Sequence, residues 1–592
     1  MKTAMATVCL GGGLREKLEA IAKAGFQGVE LFENDLLAYS GRPEEVRALC
    51  ADLGLEIVAY QPFRDLEGLP EPQRRRAFER LERKLDLAAA LGAPLILVCS
   101  SVSPATLEDE ERMVEDLYEL GQRAAQRGLR AGYEALSWGR WVRDYRQAWR
   151  LVRRAGHPAL GLVVDSYHIL APGYEVESLA RIPGERIFLV QVADAPLMEM
   201  GLLPWSRHYR TFPGQGQLPL EAFYQALAQT GYRGYLSLEV FNDHFRYAPA
   251  QEVARDGWRS LRYLQAPQAP GVLVEGLAFV EFALGPEDRP SMEKTLGRMG
   301  FSPAPLGPGV EVWQQGRAAI LLNNAPQGFA REYWERRGPS VCALGLEVAQ
   351  TDPVLARAKA LGYALQSGDH PWPALAGPEG SLLYLLEPGQ APWTPTPGPA
   401  QLEGFDHLAW VLPTGPLLAW LLFFRAVLDL QSTPTVEIPD PSGYIQSQAL
   451  ENPKGSLRLV LNIPQSGGSL ASRFLLEHYG GGVQHLALQS RDILATLAYL
   501  QEQRAPLLEI PENYYLDLEA RWGLEPGLVA RLQAHHLLYD AGQGEFLQAY
   551  LPTEEGLFFF EVVERKGGYR GYGEANAPIR LAAQARWLHR AS

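Results

Sequence analysis

Cysteine is scarce in this chain of 592 residues. The four present, Cys9, Cys50, Cys99 and Cys342, lie far apart and mostly inside apolar runs. That spacing excludes a disulfide framework and a cysteine zinc cluster, and it predicts reduced core residues in a cytoplasmic protein. Basic charge is also in short supply, with 55 Lys and Arg against 69 Asp and Glu, a net charge of −14. Nucleic acid and anionic membrane are therefore excluded as general partners, whereas an anionic small molecule needs only local Arg or His. Long apolar runs are missing. None approaches the roughly 18 residues of a membrane helix. The opening stretch MKTAMATVCLGGG is too short in its apolar part for a signal peptide. The chain does have ample material for cores, with 47% apolar and 21% charged residues. Its length predicts three or four domains.

From the N-terminus, strands and helices alternate. ATVCL (residues 6–10), GVELF, LEIVAYQP, PLILVCS, RAGYEAL, GLVVDSYH, RIFLVQVAD and YLSLEVF read as strands, most of them separated by a segment of helical period. Eight such units in residues 1–265 predict a TIM barrel. A doubly wound open sheet is the runner-up, weakened because no GxGxxG turn follows the first strand.

Polar residues stand at the ends of the last four strands. These are Glu134, Asp165, Gln191 and Glu239. Taken singly, each reads as a helix cap or a surface group. A barrel brings all four to one rim, where the oxygen set suits Mg²⁺, Mn²⁺ or Co²⁺. His168 follows Asp165 by three residues and is placed to move a proton. Arg64, in YQPFRD, and Arg210, in WSRHYRTFPGQG, fall on the same rim, where an Arg can grip a carboxylate. Ser206 and His208 share the second loop as weaker candidates.

Residues 1–265 resemble the sugar-isomerase-like (xylose isomerase-like) TIM barrels. Within that group GFQGVELFENDLL, YQPFRDLEG and LILVCSSVS resemble the bacterial 3-dehydroshikimate dehydratases. The resemblance implies conversion of 3-dehydroshikimate to protocatechuate in quinate and shikimate catabolism. It implies metal ligands at Glu134, Asp165, Gln191 and Glu239, a catalytic His168, and substrate-binding arginines at Arg64 and Arg210. A sugar or inosose isomerase or dehydratase is the alternative within the same fold.

QAPQAPG (residues 265–271) reads as a linker, and a Pro-rich stretch at 387–400 divides the remainder in two. The halves, 272–390 and 401–592, read as copies of one unit. Aligned on their apolar strands, the copies set His407 against Gly276, His485 against Gly345 and Glu561 against Leu385. Two His and one carboxylate suit a divalent ion such as Fe(II) or Mg²⁺, with positions left open. FDHLAW, VQHLAL and FFFEVVERKGGYRGYGEAN resemble the vicinal-oxygen-chelate fold of 4-hydroxyphenylpyruvate dioxygenase. That resemblance implies metal ligands at His407, His485 and Glu561. It leaves open an oxygenase acting on an aryl pyruvate, a metal enzyme on another phenolic or α-keto acid, and a module that stabilises a homo-oligomer. Some dehydroshikimate dehydratases resemble this chain in carrying such a tail.

Overall fold

The structure, a computed structural model, describes residues 1–266, 274–553 and 558–591. Pro267–Gly271 of the expected linker, and Gly556 and Leu557 of the expected repeat, lie outside the described residues. The chain forms two compact units, Met1–Pro267 and Gln268–Ser592. Among the described residues no helix is long and apolar enough to cross a membrane. All four cysteines are free and buried.

The first unit is a closed barrel of eight parallel strands in sequence order. They are β1 (Lys2–Ala6), β2 (Gly28–Phe32), β3 (Glu56–Phe63), β4 (Leu95–Cys99), β5 (Arg130–Glu134), β6 (Leu160–Asp165), β7 (Ile187–Val192) and β8 (Tyr235–Leu238). β1 pairs with β8 and closes the ring. Strands such as LILVC and LGLVVD are buried along their whole length, as parallel strands covered on both faces must be. Amphipathic helices cover the outside. The Tyr145–Ala155 helix begins with a capping box between Asp144 and Gln147 and ends at Gly156 with φ of 67°, where a side chain would be strained.

The first strand lies earlier than ATVCL predicts. Lys2–Ala6 forms the strand, and Thr7–Cys9 forms a tight helical turn over the barrel end. Side-chain hydrogen bonds to the backbone explain the shift. The Thr7 hydroxyl accepts from Phe32 N at 3.1 Å, and Cys9 Sγ donates to the Leu238 carbonyl and accepts from Val240 N. Those partners hold residues 7–9 at the rim, not in the wall.

The second unit contains an eight-stranded and a nine-stranded sheet whose strand orders correspond along eight strands, with Val436–Asp440 the extra strand of the second, off that path. At the centre of the first, Val274–Ala283 lies antiparallel to Ser340–Val348, which is flanked by parallel Leu382–Leu386. At the centre of the second, Leu402–Val411 lies antiparallel to Gly482–Ser490, flanked by parallel Phe559–Lys566.

Register corrects the alignment of the copies. Both central pairs skip a residue at the same three places. In the first they are Glu275, Ala278 and Cys342, and in the second Glu403, Asp406 and Gln484. Phe279 opposite Gly345 therefore corresponds to His407 opposite Ala487, and Ala343 to His485. Tyr384 pairs with Gly345 as Glu561 pairs with Ala487. The counterparts of the triad are Phe279, Ala343 and Tyr384, not Gly276, Gly345 and Leu385. An apolar alternation tolerates a slip along the strand, and only the bulges fix it. Phe279 and Tyr384 pack with Trp372 at ring distances of 5.6–6.2 Å, so aromatic side chains fill this place in the first sheet.

Candidate functional site

Parallel pairing in register puts Glu134, Asp165 and Gln191 at the carboxyl ends of β5, β6 and β7, with Glu239 directly after β8. All four are buried. Asp165 also caps the short Ser166–Leu170 helix, accepting from Tyr167 N at 2.8 Å. That single turn brings residue 168 back over residue 165. His168 Nε2 ends 3.7 Å from Asp165 Oδ2 and 3.9 Å from Glu134 Oε1. Ser137 meets the other ring nitrogen with its hydroxyl (3.0 Å) and its backbone N–H (3.2 Å). Arg210 Nη2 lies 3.3 Å from Nε2. Arginine can only donate, and the Ser137 backbone N–H likewise donates to Nδ1, so donors meet both ring nitrogens and oppose a doubly protonated ring.

Arg210 is the fully buried cation of the site. Its Nη1 donates to Asp165 Oδ2 (2.7 Å) and Glu239 Oε2 (3.3 Å), and its Nε to the buried Ser206 hydroxyl (3.0 Å). Even with Arg210 present the acids remain crowded. Burial, then the charges of Glu239 and Asp165, push Glu134 well above the usual carboxylate range. Burial raises Asp165 and Glu239 against the pull of Arg210. Burial, then Arg210 and Arg207, hold His168 well below an ordinary imidazole.

This donor set fits a divalent cation. Glu134 Oε1 and Gln191 Oε1 are buried acceptors with no hydrogen-bond donor. Such oxygens are costly unless something else meets them. Glu134, Asp165 and His168 each offer a ligand atom within 4.8 Å of the others.

Two further arginines face the same cavity, lined also by Trp138, Phe241 and Glu239. Arg64 was predicted. Arg207 was not, because in WSRHYR it reads as one charge among several. It lies on the Leu202–His208 helix, 4.9 Å from the Phe241 ring centre and 5.9 Å from Trp138. Among the described residues neither the Arg64 nor the Arg207 guanidinium donates a hydrogen bond, so both face the cavity uncommitted. His208, on the same helix, is about half exposed and paired with Asp243 at 2.8 Å, away from the cavity. Sequence reading also passed over Glu30 on β2. It is fully buried, and its Oε2 accepts from Gln191 Nε2 (2.9 Å) and Gln61 Nε2 (3.1 Å). Burial, then Glu239, raises it to about 8. An acid inside the apolar run GVELF was the available signal.

The second unit assembles its own centre. Glu561 Oε2 lies 3.2 Å from His407 Nε2 and 3.6 Å from His485 Nε2, and the three offer ligand atoms within 4.8 Å of one another. All are buried. His407 Nδ1 meets Asp406 Oδ2 at 2.8 Å, and Asp406 is gripped through both oxygens by Arg565 at 2.7 and 2.8 Å. A His that gives Nδ1–H to a carboxylate presents Nε2 to a metal, and the carboxylate raises its basicity. Gln548 Nε2 donates to Glu561 Oε1 at 3.0 Å and leaves Oε2 to face the histidines. His485 stacks on Phe559 at 4.8 Å. Burial opposes charge on His407, but Glu561 and Asp406 win and lift it to about 9. Burial and His407 together hold His485 well below the usual value.

Residues 18–264 match the xylose isomerase-like TIM barrel family. Residues 269–390 match the N-terminal region of hydroxyphenylpyruvate dioxygenase. The 3-dehydroshikimate dehydratases of Pseudomonas putida and Pseudomonas aeruginosa are 43% and 44% identical over 99% of this chain and 98% of their own length. A solved structure described as a xylose isomerase-like TIM barrel/4-hydroxyphenylpyruvate dioxygenase fusion protein superposes with a TM-score of 0.91 at 42% identity, covering 99% of both chains. Barrel, paired sheets and whole-length identity agree, and the chain belongs to the 3-dehydroshikimate dehydratase family in which a sugar-isomerase-like barrel is joined to a 4-hydroxyphenylpyruvate dioxygenase-like region.

Proposed function

We propose that the barrel dehydrates 3-dehydroshikimate to protocatechuate, with a divalent ion (Mg²⁺, Mn²⁺ or Co²⁺) held by Glu134, Asp165, Gln191 and Glu239. The observation that carries this reading is one buried rim where Glu134, Glu239 and a low-pKa histidine face a cavity shared with Arg64 and Arg207, with buried Asp165 beside that histidine. The two free guanidinium groups suit the carboxylate of the substrate. The bound ion supplies Lewis acidity toward the ring ketone. His168 Nε2, kept neutral by burial and by neighbouring arginines, accepts the ring proton. The imidazolium then returns a proton to the departing hydroxyl, which leaves as water, and the remaining dienone enolises to the aromatic diol. Arg210 holds Asp165 and Glu239 in place and faces His168 Nε2, so it orients both ligands and base. Metal-stripped protein, given the substrate and each ion in turn, tests the reading. Protocatechuate absorbance must appear on add-back, and its absence with every ion refutes the proposal.

The second centre supports a separate metal site for an ion such as Fe(II) or Mg²⁺, with His407, His485 and Glu561 as ligands. The Arg565–Asp406–His407 chain carries that part of the proposal, because it fixes the tautomer a ligand needs. Oxygen uptake with Fe(II) and an aryl pyruvate, lost in His407→Ala, is the outcome for an oxygenase. Unchanged uptake in that variant refutes it.

A further inference from the structure

We infer that Glu30 is a positioning residue that makes Gln191 an oxygen ligand. The inference rests on the metal-site reading of the barrel. A glutamine amide carries a donor and an acceptor of nearly equal shape, and only its oxygen binds a cation. Nothing in Gln191 itself decides which end faces Asp165, its partner across the β6–β7 pairing. Glu30 decides it. This acid is fully buried on the inner wall of β2 and takes Gln191 Nε2 at 2.9 Å. Gln61 Nε2, on β3, donates to the same Glu30 oxygen at 3.1 Å and fixes that acid in turn. With the amide nitrogen anchored, Gln191 Oε1 is turned away from Glu30 and is left buried without a donor. Flipping the amide would set its oxygen against Glu30 Oε2, the oxygen that already accepts from Gln61, and its N–H₂ against the ion. The order Gln61, Glu30, Gln191 is a relay across three strands that selects one amide orientation.

The test is Mn²⁺ affinity, measured by calorimetry on metal-stripped full-length protein. Every variant is built on His407→Ala/His485→Ala, so only the barrel titrates. Partners of metal ligands commonly contribute roughly 10- to 100-fold in affinity. Glu30→Ala is expected to weaken Mn²⁺ by that order, with Glu30→Gln between it and the parent. In the Gln191→Glu background, where both oxygens can ligate and no orienting is needed, Glu30→Ala should leave the affinity unchanged or improve it. A loss of the same size in both backgrounds would mean that Glu30 merely supports the barrel, and it overturns the inference. Unaltered affinity in Glu30→Ala, alongside weakening in Gln191→Ala, overturns the inference and leaves the ligand set standing. If Gln191→Ala binds Mn²⁺ like the parent, the ligand reading itself fails.

Discussion

Arg207→Ala should raise KM far more than it lowers kcat. The Arg207 guanidinium is wedged between Phe241 and Trp138, and burial, then repulsion from Arg64, pulls its pKa down. A half-buried cation beside another cation is poorly satisfied until an anion arrives. A hydrogen bond to a charged partner contributes roughly 1.5–3 kcal/mol, and each 1.4 kcal/mol is tenfold, so KM should rise by roughly 10- to 100-fold. The substrate carboxylate is remote from the bonds that break, so ground state and transition state lose the contact alike and kcat should stay within about threefold. Initial rates of protocatechuate formation across substrate concentration separate the two constants. Without substrate the variant should melt no lower than the parent at low salt, because a repulsive pair is relieved. An unchanged KM with a lowered melting temperature would refute the reasoning and make Arg207 a packing residue.

Further consequences concern the base, the ligands and the second centre. His168→Ala should lower kcat by roughly 100- to 10,000-fold, the usual contribution of a placed general base, while Mn²⁺ binding survives. The acidic limb of kcat/KM should lie below the usual imidazole value of about 6.5, because burial and Arg210 disfavour the protonated ring. In Arg207→Ala that limb should move up in pH, and a pH–rate profile checks both statements. Asp406→Asn should weaken metal at the second centre by roughly 10- to 100-fold in calorimetry while dehydration continues at the parent rate.

Much of the barrel site is legible before any coordinates. Glu134, Asp165, Gln191 and Glu239 stand out because a polar residue ending an apolar strand has nowhere to go except the rim. Spacing alone puts His168 over Asp165. Arg207 is hidden, because only the helix at 202–208 shows which of the charges in WSRHYR turns inward. Glu30 is half visible. Its place in GVELF marks it as odd, but its purpose depends on Gln191, which lies 161 residues away. The start of β1 misleads because Thr7 and Cys9 are as apolar in pattern as a strand, while their hydrogen bonds belong to the rim. The copies in the second unit are legible as copies, yet they slip in register. The shared Glu-Gly at 275–276 and 403–404 marks the true alignment, and the skipped residues enforce it.

The most direct test compares wild type, Glu134→Ala and His407→Ala, each stripped of metal and resupplied with Mn²⁺, in one assay of 3-dehydroshikimate turnover. The two centres stand on different units with separate candidate ligand groups. Wild type and His407→Ala should therefore release protocatechuate at comparable rates, and Glu134→Ala should release none above background. Turnover that survives Glu134→Ala, or that disappears in His407→Ala, would contradict the assignment of the dehydration to the barrel rim.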